Sequence, residues 1–213
     1  MTHRYVYGIV ERDGNGRTFD LETTPVGEGD EVYTIAHRRF AAVVSDIETT
    51  DPERTDEDAT RHDEVLRELV EGSKGDDAQT VIPMRFGMVF ESDRALKNVL
   101  RGAGPAFRRT MREIDGCVEL GVKLVRETDA EVDTEEIEQA VAERLEPLAE
   151  SSVANDRFSD RLVVNRSYLV SREEREAFDT AVADLEAAHD TLLVQYAGPY
   201  APYNFVDIQV GAV

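Results

Sequence analysis

The sequence predicts an α+β protein of two domains, and three observations carry that expectation. The stretch TVIPMRFGMVFE, Thr80 to Glu91, is uncharged apart from Arg85 and Glu91 and shows the period-two apolar pattern of a strand. From Cys117 the chain alternates strictly, with Val118, Leu120, Val122 and Leu124 set against Glu119, Gly121 and Lys123. Between them, Asp115-Gly116 ends a helical pattern and marks the boundary. Residues 1–115 are expected to form a mixed sheet with short helices. Residues 116–213 are expected to form a modified ferredoxin-like β-α-β-α-β sandwich that ends in an aromatic and proline-rich tail.

In the first domain, Tyr5 to Val10 reads as a strand and Asp13 to Asp30 as turn-rich chain. Glu31 to Ala36 and Phe40 to Ile47 read as a hairpin turning through His37 and Arg38. After the acidic loop Thr49 to Asp58, a helix runs to about Glu71 with His62, Val65, Leu66, Leu69 and Val70 on one face.

The Thr80–Glu91 stretch carries Ile82, Met84, Phe86, Met88 and Phe90 on one face and Val81 and Val89 on the other. Apolar residues on both sides predict a central strand covered twice. Pro83 cannot donate to a ladder and belongs at a bulge, an edge or the strand's start. Arg85 is either a structural ion-pair partner or an anchor for a partner segment. Ser92 caps a helix burying Leu96, Val99 and Leu100, and Pro105 opens another with Phe107, Met111 and Ile114 inward.

In the second domain, Asp133 or Thr134 caps a helix with Ile137, Val141, Leu145 and Leu148 inward. Ser151 to Ser159 is a short strand or an irregular crossover, and Leu162 to Val170 is a strand. Ser171 and Glu174 form a capping box ahead of a helix burying Phe178, Ala181, Val182, Leu185 and Ala188. Thr191 to Ala197 closes the set, and the tail turns through Pro199 and Pro202 into a short apolar strand.

The 213 residues carry 24 basic and 45 acidic side chains, a net charge of −21. Such a load repels itself in ordinary buffer and suits a medium whose salt cuts the screening length to roughly 3 Å. A halophile's cytoplasmic protein is the expectation. No stretch reads as basic enough to neutralise several phosphates, so nucleic acid is not expected as a partner. No window is apolar enough to insert in a membrane. Cys117 is the only cysteine and reads as a buried small hydrophobe.

The residues carry little chemistry. His3, His37, His62 and His189 are scattered, with no pair at helical metal spacing. Calcium loops started at Asp13 or Asp129 lack the required glycine and glutamate. No phosphate loop, dinucleotide fingerprint or nucleophile elbow occurs, so no cofactor is expected. Tyr196, Tyr200, Tyr203 and Phe205 crowd the tail, where they either brace the core or meet a partner.

Two segments together point to a family. VIPMRFGMVFES, from Val81, resembles the LP-x-RFG-x-x-F stretch of gas vesicle F/L proteins, and GPYAPYNFV, from Gly198, resembles their closing GPWPPYSF. VVNRSYLVSREEREAF, from Val163, and RYVYGIV, near the start, fit in the same order. Ala201 between the prolines is a departure. The resemblance implies a cytoplasmic, vesicle-associated accessory protein with no catalytic residues. It would bind the hydrophobic shell protein and other accessory proteins during assembly. The residues placed at such a contact are Met84, Arg85, Phe86, Met88, Phe90, Tyr200, Tyr203 and Phe205. The first domain is the preferred side. The alternative is a ferredoxin-like domain that binds a small molecule or regulates, and a metal-dependent hydrolase is disfavoured by the dispersed histidines.

Overall fold

The computed structural model describes residues 2–13, 16–27, 31–73, 77–126 and 133–208. These form two sheets and five α-helices, a mixed α+β fold. The chain divides into one unit of Met1–Asp115 with Tyr200–Val213 and another of Gly116–Pro199. The tail from Tyr200 therefore belongs with the first unit, not with the second, where the sequence pattern had placed it. Its residues Ala201 and Pro202 are buried there, Ala201 at 2% exposure.

The first unit holds β1 (His3–Glu11), β2 (Thr18–Phe19), β3 (Val32–His37), β4 (Phe40–Ile47), α1 (Asp56–Glu71), β5 (Ile82–Pro83), β6 (Val89–Phe90), α2 (Asp93–Gly102) and α3 (Gly104–Glu113). The sheet order is β2-β3-β4-β1-β5, with β6 also paired to β1. The strand covered on both faces is β1: Tyr5, Val6, Tyr7, Ile9 and Val10 are all buried. The expected continuous central strand at Thr80–Glu91 is instead two short edge pieces, β5 and β6. Opposite β1, Gly8 faces Pro83 and Tyr5 faces Val89. Six residue steps therefore face three, and the surplus leaves the sheet as a loop. Pro83 has no N–H to continue the ladder, and Gly87, at φ 85°, turns the chain back. The loop's ends remain tied, Met84 N–H to the Tyr7 carbonyl at 2.8 Å and Val6 N–H to the Met88 carbonyl at 2.9 Å.

The hairpin β3–β4 turns at Arg38, a non-glycine at φ 57°. The two-residue β2 lies inside the segment expected to be all turn. Parts of that segment, including Gly14, Asn15 and Gly29, lie outside the described residues. Thr55 caps α1 by accepting from Asp58 N–H, and the helix buries His62, Val65, Leu66, Leu69 and Val70, the predicted face. Ser92 caps α2 through Ala95 N–H. Leu96 and Leu100 are buried there and Val99 is half-buried.

The second unit runs β7 (Cys117–Arg126), α4 (Thr134–Leu145), a 3-10 turn (Glu146–Leu148), β8 (Ser151–Ala154), β9 (Leu162–Ser171), α5 (Arg175–Ala188) and β10 (Leu192–Tyr200). Its strand order is β10-β7-β9-β8, and its element order is β-α-β-β-α-β, with the uncertain second strand present as β8. Asp133 caps α4 by accepting from Glu135 and Glu136 N–H. The core sets Val118, Leu120, Val122 and Leu124 with Val141, Leu145, Phe178 and Leu185.

Several expectations differ in this unit. Glu119, alternating with the apolar residues of β7 and so expected in solvent, is buried. Leu148 is half-buried and Ala188 is exposed. The expected capping box does not cap: Ser171 Oγ accepts from Glu173 N–H at 3.2 Å, a local turn, and α5 starts only at Arg175. Beyond β10 the tail shows no strand from Ala201 through Ile208, and the remainder of the expected terminal strand lies outside the described residues, as does the Asp129 loop.

Candidate partner-binding site

The site is built on β1 and α1. Alternation along β1 sends Tyr5 and Tyr7 to the same side, their rings edge to face at 5.0 Å. The apolar stripe of α1 delivers His62 to them. Its ring stacks on Tyr7 at 5.4 Å and meets Tyr5 at 5.6 Å. Phe86, from the loop between β5 and β6, closes the cluster at 5.8 Å from both Tyr5 and His62.

Hydrogen bonds then fix the loop. His62 Nε2 lies 3.0 Å from the Met84 carbonyl oxygen, which can only accept. The proton is therefore on Nε2, and Nδ1 accepts from the Tyr5 hydroxyl at 2.8 Å. The Tyr203 hydroxyl, from the tail, also donates to Met84 O at 3.2 Å and stands 2.9 Å from His62 Nε2. Gly87 N–H reaches Tyr5 Oη at 3.4 Å. Both ends of the loop are thus held by one buried polar network. Burial lowers the His62 pKa to about 4, so the ring is neutral at pH 7. Burial also pushes the Tyr5 phenol up, well above its ordinary value.

Beside this network opens a cleft of about 320 Å³ lined by Arg54, Ala59, His62, Asp63, Arg85, Phe86 and Tyr203. Arg54 lies over the Phe86 ring at 5.9 Å. Partial desolvation raises the pKa of Asp63, an exposed residue at the cleft's rim, with Arg54 pulling the other way. Arg85 is exposed, and among the described residues it meets no carboxylate, so it is not the ion-pair partner that one reading proposed.

Of the eight residues singled out in the sequence, Met84, Arg85, Phe86 and Tyr203 converge here. Met88 is half-buried at the loop's far end, and Phe90 is buried in β6. Tyr200 is 40% exposed with Arg67 over its ring at 5.9 Å, and Phe205 is half-buried. Sequence reasoning missed Tyr5, Arg54 and Asp63, and it took His62 only as part of a helix face. The signal was there: a histidine in a stripe of Val and Leu requires buried polar partners. Among the described residues, no group of three or more His, Cys, Asp or Glu is placed to hold a metal, and no helix is long and apolar enough to cross a membrane.

Comparison with known proteins agrees with this architecture. The crystal structure of the gas vesicle protein GvpF from an Anabaena species superposes with a TM-score of 0.83 over 98% of both chains, at 19% identity. That of GvpF from Microcystis aeruginosa gives 0.80 over 97% of this chain and 99% of the other, at 16% identity. Sequence similarity is much closer to gas vesicle protein F1 of Halobacterium salinarum, at 49% identity over 98% of this chain and 94% of that one. Gas vesicle protein F of Haloferax mediterranei is 47% identical over 98% and 95%. The profile of the family described as gas vesicle synthesis protein GvpL/GvpF matches residues 3–136 and 126–207. With its fold, its ordered motifs and nearly its whole length in common with these proteins, this chain belongs to the GvpL/GvpF family of gas vesicle proteins.

Proposed function

We propose that this protein is a non-catalytic assembly factor of the cytoplasm that binds the gas vesicle shell protein, and other accessory proteins, as vesicles nucleate and grow. Membership of the family carries the vesicle role. The observation that supports a contact at the loop Met84–Met88 is that it keeps Arg85 exposed and Phe86 and Met88 half-exposed while its backbone is pinned. A preorganised apolar ledge loses little entropy on binding. The exposed face of Tyr200 and the half-exposed Tyr203 and Phe205 extend it with aromatic surface. A shell subunit with a gas-facing surface needs such cover before incorporation, and apolar contact survives the salt that screens charge pairs.

Capture of the shell protein by the full chain in molar salt tests this reading. Arg85→Glu together with Met88→Gln should weaken capture by about tenfold or more, with circular dichroism unchanged. Undiminished capture would remove the loop from the interface, and no capture by the unaltered chain would remove the function. The cleft with Arg54, Asp63 and Arg85 favours the second reading, a small-molecule site. Its mark would be an anionic or aromatic compound that raises the melting temperature and fails to do so in Arg54→Ala.

A further inference from the structure

The stretch from Arg94 to Arg112 is the longest in the sequence without an acidic residue, nineteen positions in a chain with 45 carboxylates. It holds six cations: Arg94, Lys97, Arg101, Arg108, Arg109 and Arg112. All six are exposed. On α2 they fall at i, i+3 and i+7, and on α3 at i, i+1 and i+4, away from the buried Leu96, Leu100, Phe107, Thr110 and Met111. None pairs with a carboxylate among the described residues; Arg101 reaches only the Asn98 amide oxygen at 3.0 Å.

Helix-end charge explains two of the six, Arg101 and Arg112 in last turns. It does not explain Arg94, which sits in the first turn of α2, where a cation is disfavoured, nor the pair at the middle of α3. A second feature lies at the corner between the helices. Gly102 ends α2 without a positive φ, and a Cβ there would meet nothing within 4 Å. Its own fold therefore does not require glycine, although glycine weakens a helix. The neighbouring Gly104 precedes Pro105, which accounts for it. A bare backbone between two helices that each carry three exposed cations is what a second backbone needs to approach closely.

We propose that the outer surface of α2 and α3 docks a carboxylate-rich segment of a partner protein, with the partner's backbone passing over Gly102. Five of the six cations are arginines, whose planar forks take carboxylates bidentately. A short acidic segment ends where the patch ends. A nucleic acid, with one charge per roughly 1.7 Å of duplex, would run on into a chain of net charge −21. This surface is separate from the loop Met84–Met88 and stands whether or not the shell protein binds there.

The test is fluorescence polarisation with a labelled oligoglutamate peptide, using the full chain at the lowest salt that preserves its circular dichroism. Binding should weaken with added salt. Arg108→Glu, Arg109→Glu and Arg112→Glu combined should weaken it by about tenfold to a hundredfold. Arg144→Glu, exposed in the last turn of α4, should leave it unchanged. Gly102→Ala should raise the melting temperature while weakening the peptide, a pair of effects that a purely structural glycine would not give. Failure of the unaltered chain to bind, or equal binding by the triple variant, overturns the proposal. Tighter, equally sensitive binding of single-stranded DNA would make the surface a nucleic-acid site instead. A dimer in sedimentation that the triple variant dissolves would make the occupant a second copy.

Discussion

His62 Nε2–H donates to the carbonyl oxygen of Met84 at 3.0 Å, so a helix side chain and a loop backbone 22 residues later share one buried bond. Protonation at Nδ1 would keep that bond but would remove the one the Tyr5 hydroxyl donates to Nδ1, and would place a charge in a buried site. Burial lowers the folded-state pKa from 6.5 to about 4. The unfolded chain therefore takes up the proton first as pH falls. The stabilisation is complete above pH 6.5 and is lost progressively between 6.5 and 4. A shift of this size corresponds to about 3 kcal/mol. Denaturant unfolding at pH 7 and pH 4.5, at fixed salt, should show the loss. His62→Gln cannot titrate and should be less stable at pH 7 but flatter across this window. Subtracting the variant's curve removes the carboxylates, including Asp63, whose raised pKa acts in the opposite sense. Parallel curves for the two proteins would mean that His62 does not titrate as described.

Gly8 makes the second case. A Cβ at that position would lie 2.6 Å from Val81 Cγ1 and 2.9 Å from the Ile82 carbonyl oxygen. The second contact is backbone, so β5 would have to move. Alanine in a strand interior is otherwise favoured over glycine, so the sign of the effect decides. Gly8→Ala should destabilise by about 1–3 kcal/mol, a fall of several degrees in melting temperature for a chain of this size. An unchanged or raised melting temperature would show that β5 does not pack as closely as described.

The periodic parts of this fold were legible in the sequence because one residue face decides them. The buried set of α1 was readable from spacing alone, β3–β4 from its apolar runs, and β7 from its alternation except at the buried Glu119. The Thr80–Glu91 stretch misled for the same reason. Its period-two pattern is real, but pairing with β1 stops at Pro83, and the residues that alternate next turn out into a loop. Nothing in hydrophobicity distinguishes a ladder from a loop pinned by side chains 22 and 119 residues away. The capping box failed because Ser171 satisfies a nearer amide. Four of the eight proposed contact residues come together, yet the groups that hold them, Tyr5 and His62, read as ordinary core and helix-face positions. The cationic run of α2–α3 corrects the reading that no stretch is basic, since six cations fall within nineteen positions free of acid.

The place of the tail yields the last prediction. Tyr203 donates to Met84 O at 3.2 Å, and Ala201 and Pro202 are buried in the first unit. A fragment ending at Asp115 therefore lacks part of the loop's support, and so does a chain ending at Pro199. In Tyr203→Phe, Met84 O keeps its bond from His62, so the cost should be only about 0.5–1.5 kcal/mol. Truncation at Pro199 also exposes the surface that Ala201 and Pro202 cover, so it should cost more than the single hydroxyl. Hydrogen exchange resolves the two effects. The amides of Met84, bonded to Tyr7 O, and Gly87, reaching Tyr5 Oη, should exchange faster in the truncated chain than in Tyr203→Phe. A peptide of residues 200–213 added in excess should restore their protection. If these amides exchange at equal rates in the intact and truncated chains, the loop is held by His62 and β1 alone. The tail would then be a covering for the first unit rather than part of the lock.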